Sequence, residues 1–248
     1  MGTRHLITVV KGGEFKLAQY GQWDGYPSGQ GATILEFLTT GDVEALRTNV
    51  DKLYFPSQEE IDTMYEKAAG IPKGQEWINM EQSDKLKAAL PTLHRDTGAK
   101  VLEIIASGSS FDDLGRIPTN NMISFAGGWD CEWAYAIDLD NELFEVYQAG
   151  FDDEQGANRF SDVITNEFEG SEERPCFVKL VGSYKFDALP TFEEFLAELE
   201  PEALERHRAR VAALAAEEAE KATEDQADEG AILGDGSEDD EPKPMWSA

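Results

Sequence analysis

The sequence predicts an α+β fold with a mostly antiparallel sheet, a helical insert after the first hairpin, a C-terminal helix and an acidic tail. Three observations support this prediction. β-Rich segments open the chain and return after residue 120, amphipathic helical patterns occupy residues 32–107, and a further helical pattern follows the last strand. Because strands and helices are grouped rather than alternating, the order favours α+β over a parallel α/β sheet.

The chain opens with a predicted β-hairpin. Residues 6–10 are rich in β-formers, and residues 15–20 alternate between apolar and polar side chains. A Gly-Gly pair at residues 12–13 separates the two segments, as expected for a tight turn between paired strands.

Residues 32–107 are predicted to form a helical insert. Gly41 ends its first helix and Asp42 caps the next, since glycine suits a helix C-terminus and aspartate accepts hydrogen bonds from N-terminal N–H groups. Ser57 and Glu60 have the spacing of a capping box for a third helix. Two further helices are expected near residues 83–90 and 97–107.

The chain then returns to β-structure. Residues 121–125 are predicted to form a short strand, and residues 132–139 alternate so that one face carries the large apolar side chains. Residues 140–141 favour a turn into a second hairpin arm at 143–148. Residues 177–186 give another alternating strand.

The C-terminal part is predicted to be helical and then disordered. Thr191 and Glu194 form a second capping box ahead of a helix that docks on the sheet. Residues 1–199 are therefore predicted to be a single α+β domain, and residues 200–223 a helix that projects or packs weakly. Residues 224–248 carry nine acidic side chains and one lysine, which predicts a disordered acidic tail.

The charge balance excludes several classes of protein. The chain has 248 residues and a net charge of −29, and residues 1–200 alone hold 36 acidic and 16 basic side chains. Direct nucleic-acid binding and attachment to anionic membranes both depend on clustered Lys and Arg, so neither is expected. A basic surface on another protein is a possible partner. No secretory or membrane-spanning pattern is evident, so a cytoplasmic location is expected, in the host if a phage encodes the chain.

Metal and cofactor motifs are not found. The three histidines, His5, His94 and His207, lie at no ligand spacing from one another or from a cysteine. Cys131 and Cys176 are the only cysteines, too few for a disulfide framework. We therefore expect no metal and no cofactor.

A Gly-rich loop at residues 21–31 is the best candidate site. It leads into a helix N-terminus, where free N–H groups favour an anion, but it lacks the lysine of a P-loop and the glycine spacing of a dinucleotide fold. We expect its aromatic side chains to stack on a planar or sugar-like ligand while its carboxylate binds hydroxyl groups. In the alternative interpretation, the aromatic residues plug the edge of the core and the glycines form turns. The residues concerned are Trp23, Asp24, Tyr26, Gly29 and Gly31.

A second Trp-Asp pair, Trp129-Asp130, precedes the strand at 132–139. If both loops lie at one end of the sheet, Asp24 and Asp130 form a carboxylate pair flanked by indoles, an arrangement suited to general acid–base chemistry. Cys131 follows as a candidate nucleophile without an evident histidine partner.

Four segments resemble an uncharacterised family of proteins from bacteriophages, bacteria and fungi. They are GTRHL at residues 2–6, AQYGQWDGYP at 18–27, RDTGAK at 95–100 and AIDLD at 136–140. The resemblance extends over residues 2 to about 199 and implies a shared fold, but it carries no activity with it.

The layout of the first residues also resembles the N-terminal nucleophile hydrolases. Gly2-Thr3 is similar to the processing junction of that class, and a hairpin and a helical pair follow in both. The resemblance implies a layered fold with Thr3 as the nucleophile. The catalytic lysine of the class has no counterpart between Lys16 and Lys52, and removal of Met1 exposes Gly2 rather than Thr3.

Three interpretations of function follow. The favoured one is a non-enzymatic protein that binds or responds to a small ligand through loop 21–31. The second is an amide hydrolase with Thr3 or Cys131 as its nucleophile. The third is an acidic interaction protein, such as a phage counter-defence factor, that occupies a basic surface.

Overall fold

The computed structural model describes residues 2–109, 114–150, 158–161 and 178–232. The predicted α+β class is confirmed. The described strands are β1 (His5–Lys11), β2 (Glu14–Gly21), β3 (Leu53–Tyr54), β4 (Ile117–Pro118), β5 (Trp133–Asp138), β6 (Leu143–Ala149) and β7 (Val178–Lys185). Five of them form one sheet in the order β2-β1-β5-β6-β7, and β3 and β4 form a separate parallel pair.

The helices lie mostly where the sequence predicts them. They are α1 (Ala32–Thr40), α2 (Val43–Asn49), α3 (Gln58–Ala69), α4 (Met80–Ala89), α5 (Val101–Ala106), α6 (Phe192–Leu199) and α7 (Pro201–Ile232). The helical insert is confirmed, although it also contains strand β3. In the part of the chain that the structure describes, no helix combines the length and the apolar character needed to cross a membrane.

Side-chain caps determine where several helices begin. The Asp42 carboxylate accepts a hydrogen bond from the Ala45 N–H at 2.8 Å, as predicted. The predicted capping boxes at Ser57 and Thr191 are both present, at the first turns of α3 and α6. These local interactions satisfy N–H groups that a helix N-terminus otherwise leaves without partners.

Strand β5 is the centre of the sheet, and both of its faces are buried. The alternation in the sequence predicts one buried face, but all six residues of β5 are buried. On one face Tyr135 stacks on Phe144, which in turn stacks on Phe195 of α6 with ring centroids 5.9 Å apart. On the other face Ala134 joins an apolar cluster that includes Phe160. Small alanines alternate with large side chains in β5 because its second face packs closely.

The strand predicted at residues 121–125 is wrong. Asn121 makes only an isolated bridge to Ala18 of β2, and residues 123–127 form a 3₁₀ turn. The Met122 N–H donates to the Ala18 carbonyl, and the Phe125 N–H then donates back to the Met122 carbonyl, so the chain turns away from the strand. A short apolar segment fits a turn over the sheet as well as it fits a strand.

The C-terminal helix is longer than the sequence predicts. Residues Met1–Glu200 and Pro201–Ala248 form two compact units, and α7 lies in the second. It continues to Ile232 rather than ending near Thr223, since Ala, Glu and Lys all favour helix. Residues 233–248, which include most of the predicted acidic tail, and Cys176 lie outside the described residues.

Candidate functional site

Loop 21–31 is a tightly hydrogen-bonded turn. Asp24 lies in the left-handed region with φ of +55°, a conformation that aspartate tolerates better than most residues. Its carbonyl accepts the Gln30 N–H at 2.8 Å, and the neighbouring Gly25 N–H donates to the Thr3 carbonyl at 3.1 Å. The loop is therefore held both to itself and to the chain that enters β1.

The N–H groups at the start of the helix already have acceptors. Residues 27–31 form a π-helical turn that continues into α1, so the helical region begins before the predicted position. The Gly29 and Gly31 N–H groups donate to the Tyr26 carbonyl, and the Ser28 N–H donates to the Glu200 carboxylate at 3.0 Å. A carboxylate of the protein thus takes the place that the sequence suggests for an external anion.

The two glycines of the loop permit close packing. A Cβ at Gly29 would overlap the Asp24 carbonyl, and a Cβ at Gly31 would lie 3.1 Å from the Tyr135 ring. The Tyr135 hydroxyl donates to the Gly25 carbonyl at 2.7 Å, and burial holds the pKa of this tyrosine well above its usual value. Gly29 and Gly31 therefore allow the close backbone packing that the turn-forming interpretation expects.

A groove of about 790 Å³ lies between this loop, α1 and the segment before α6. Its apolar and aromatic walls are formed by Tyr26, Leu35, Pro190 and Phe192. Tyr26 is 46% exposed, so much of its surface is open to solvent. The groove joins a loop near the N-terminus to a segment more than 150 residues later in the chain.

The polar lining of the groove is rich in hydrogen-bond acceptors. The hydroxyl groups of Thr33, Thr39 and Thr40 donate to carbonyls one turn earlier, at 3.2, 2.7 and 2.9 Å. Because those protons are used within the helix, the hydroxyl oxygens retain mainly acceptor capacity. Asp24 and Glu36 add carboxylates, and no Lys, Arg or His of the described residues lines the groove.

The other predicted ligand-binding residues lie outside this groove. Trp23 packs beside Gly2, where an added Cβ would overlap its ring, and its carbonyl accepts the Gln30 side-chain amide at 3.3 Å. Trp129 is 68% exposed, and Asp130 forms an ion pair with Arg4. Neither Trp129 nor Asp130 contributes to the groove within the described chain.

The two Trp-Asp loops do lie at the same end of the sheet. His5 pairs with Gly21 on one side and with Trp133 on the other, so the chain following β2 and the chain preceding β5 meet at this edge. In the described part of the chain, no hydrogen bond joins Asp24 to Asp130. Asp130 is the partner of Arg4 instead, which gives it an ion-pairing role.

The two candidate nucleophiles are buried. Thr3 is 4% exposed, and its carbonyl accepts the Gly25 N–H. Cys131 is 1% exposed, and its thiol donates to the Trp133 carbonyl at 3.5 Å. Cys131 also belongs to the apolar cluster that contains Ala134. In this conformation neither side chain is accessible to a substrate in solution.

His5 is a buried polar group that the sequence does not single out. Its ring is enclosed by Gly21 and Gly25, since a Cβ at Gly21 would overlap the imidazole and one at Gly25 would meet its Cβ at 2.8 Å. His5 is 1% exposed, and neither ring nitrogen has a hydrogen-bond partner among the described residues. Desolvation lowers the pKa of His5 to about 4 and outweighs the nearby Thr3 backbone, which raises it. In the sequence, only Gly21 and Gly25 indicate that a large side chain packs against this part of the loop.

A serine–histidine contact is also present, between Ser83 of α4 and His94. The His94 Nε2 lies 3.1 Å from the Ser83 hydroxyl, and the Asp96 N–H donates to His94 Nδ1 at 3.2 Å. Because Nδ1 accepts, the neutral ring carries its proton on Nε2 and donates to Ser83. Burial lowers the pKa of His94 and favours this neutral form. The ring is thus poorly arranged to take a proton from Ser83 as a general base would.

Comparison with protein-family models, with curated proteins and with solved structures finds no match for this chain. In the part of the chain that the structure describes, no three His, Cys, Asp or Glu side chains are grouped as metal ligands would be. The groove beside loop 21–31 is therefore the feature on which a functional argument depends.

Proposed function

We propose that the groove beside loop 21–31 binds a small ligand through an uncharged or cationic part that is rich in hydrogen-bond donors, such as the ring of a saccharide. The observation that carries the proposal is the combination of acceptor-rich walls with an exposed aromatic ring. Asp24, Glu36 and the threonine hydroxyl oxygens accept hydrogen bonds, and Tyr26 offers a ring face. Ligand hydroxyl or amino groups supply the donors that such walls lack.

The size and composition of the groove support a small molecule. A volume of about 790 Å³ falls in the range of roughly 300–1,000 Å³ that is usual for ligand sites. Apolar side chains from both walls, Leu35 and Phe192, give a surface for the carbon skeleton of the ligand. Burial of Thr3 and Cys131 favours binding without covalent chemistry.

The test is saturation-transfer difference NMR with a panel of neutral mono- and disaccharides and small amines. Tyr26→Ala removes the ring face, and Asp24→Asn removes the charge while keeping a residue that tolerates positive φ. We expect each change to weaken binding by about tenfold, as for loss of one charge-assisted or stacking contact. The matched controls are Trp129→Ala and Asp130→Asn, which change an exposed aromatic ring and an aspartate outside the groove.

Two results would contradict the proposal. One is that no donor-rich compound gives a saturable signal with the wild-type protein. The other is that Trp129→Ala and Asp130→Asn weaken binding as much as the groove variants do, because the ligand would then lie at the second loop.

A further inference from the structure

A second cavity, of about 280 Å³, adjoins the groove. Gln30 and Thr33 line both, so the two spaces share this part of their walls. The second cavity also contains Lys87 of α4 and Lys100, which immediately precedes α5. The second cavity therefore carries two lysines from different elements, whereas the adjoining groove has no cationic side chain among its described lining residues.

The wall between the two spaces is held rigidly. The Gln30 side-chain oxygen accepts the Ala99 N–H at 2.7 Å, and its amide nitrogen donates to the Trp23 carbonyl at 3.3 Å. Gly98 has φ of +55°, and a Cβ there would overlap the Gln30 amide. Two hydrogen bonds thus hold the Gln30 side chain where the groove and the cavity adjoin.

The two lysines of this cavity contrast with three lysines of the chain that are paired with a carboxylate. Lys11, Lys16 and Lys85 each lie 2.5–2.7 Å from a carboxylate oxygen. Lys87 and Lys100 form no ion pair within the described residues.

Asp96 also lines the cavity, but its carboxylate lies 3.8 Å from the guanidinium nitrogen of Arg95. That exposed contact reduces the charge of Asp96 only in part. The two lysines nevertheless outnumber this one carboxylate, so the lining of the cavity carries a net positive charge that can attract an anion from solution.

We propose that this cavity binds an oxyanion, a phosphate or a carboxylate, and that the oxyanion is a substituent of the ligand held in the groove. The second part rests on the proposed function. A lysine ammonium group binds such anions as a point charge with three donors, and the small volume suits a single phosphate or carboxylate. The ligand class would then be a donor-rich small molecule with one acidic group, such as a sugar phosphate.

The first experiment is a titration with inorganic phosphate at constant ionic strength, followed by ¹H–¹⁵N NMR. We expect saturable shifts at the amides of Gln30, Ala99 and Lys100. Lys87→Gln and Lys100→Gln should each weaken binding by about tenfold, the usual effect of losing one charge-assisted hydrogen bond. Lys85→Gln is the matched control, because Lys85 lies on the same helix but pairs with Glu81 at 2.7 Å.

An absence of saturable shifts in the wild-type protein overturns the anion site. So does binding that survives in the Lys87→Gln/Lys100→Gln double variant, or an equal loss in Lys85→Gln. These results do not depend on the groove, so they separate failure of this site from failure of the proposed function.

The second experiment asks whether the anion comes free or as part of a ligand. A panel of pentose and hexose monophosphates is titrated beside inorganic phosphate, with wild type, the double variant and Tyr26→Ala. We expect at least one sugar phosphate to bind more tightly than inorganic phosphate and to lose that advantage in Tyr26→Ala. If every sugar phosphate binds with the same affinity as inorganic phosphate, the cavity binds a free anion. The proposal that the anion belongs to the ligand of the groove is then wrong.

Discussion

His5 shows how one buried residue makes the stability of the whole protein depend on pH. Its ring lies under Gly21 and Gly25 at the end of the sheet, and neither nitrogen has a partner among the described residues. A protonated imidazole there would be a buried charge that the nearby Thr3 backbone compensates only in part, which is unfavourable. The pKa of His5 in the folded state, about 4, reflects this cost.

We therefore expect stability to fall as the pH drops below 6.5. The unfolded chain has an ordinary histidine pKa of 6.5 and binds the proton first, so between pH 6.5 and about 4 the unfolded state holds more protons. Protonation of His5 in the unfolded chain is expected to lower the free energy of unfolding by about 3 kcal/mol across that window. The free energy of unfolding, measured with urea at pH 7.5 and 4.5, should fall less in His5→Leu than in wild type. An equal fall in both proteins would contradict the assignment.

At the scale of the element, the start of α6 serves both the fold and the groove. The Thr191 hydroxyl caps the helix by accepting the Glu194 N–H, and Thr191 also lines the groove beside Phe192. The Glu194 carboxylate in turn accepts hydrogen bonds from the Thr191 N–H and from the Thr191 hydroxyl, both at 2.8 Å, and these lower the pKa of Glu194. Thr191 therefore both fixes the start of α6 and forms part of the groove wall.

Thr191→Ala should both destabilise the protein and weaken ligand binding. Loss of the cap costs about 1 kcal/mol in thermal or urea unfolding. Ser57→Ala is the control, because Ser57 caps α3 with the same type of box and does not line the groove. We expect Ser57→Ala to cost a similar free energy while leaving ligand binding unchanged. Equal effects of the two variants on binding would show that Thr191 acts only through stability.

Elements specified by local interactions are the ones that the sequence predicts well. The hairpin β1–β2 and the boxes at Ser57 and Thr191 depend on residues within a few positions of one another, and all are present. The 121–125 strand failed because that segment's hydrogen bonds depend on the position of Ala18, which is distant in sequence.

The candidate site also has one part that the local sequence predicts and another that depends on residues distant in sequence. Loop 21–31 was predicted as a site, and Asp24 and Tyr26 do line the groove. The second wall, at residues 190–192, and the Glu200 carboxylate at Ser28 come from more than 150 residues away, so no local pattern indicates them. Trp23 and Trp129 lie outside the groove. Their positions could not be predicted, because a Trp-Asp pair in a sequence does not reveal which surface the ring covers.

At the scale of the whole molecule, the dominant property is charge. The net charge of −29 does not come from the C-terminal residues alone, since residues 1–200 hold 36 acidic and 16 basic side chains. Folding brings these like charges closer together, which opposes the compact state. Ion pairs such as Arg159 with Asp138 and Glu145, at 2.7 and 2.6 Å, offset this only locally.

We expect added salt to stabilise the protein. Raising the ionic strength from about 0.01 M to 0.15 M shortens the screening length from about 30 to 8 Å and so weakens the repulsion between exposed carboxylates. The melting temperature at pH 7.5 should rise, and sodium and potassium chloride should raise it equally because the effect is screening. A falling melting temperature, or a response to one cation only, would contradict this explanation.

The parallel pairing of β1 with β5 has a consequence for biosynthesis. Residue His5 meets Trp133, and Val10 meets Asp138, so each contact closes a loop of 128 residues. The ribosome completes β1 and β2 long before it synthesises β5, the central strand beside β1. Strands whose partners are so distant in sequence pair slowly. During that interval the inner edge of β1, with its Ile7 and Val9, has no strand to pair with. The sheet can therefore be completed only after residue 138 has left the exit tunnel.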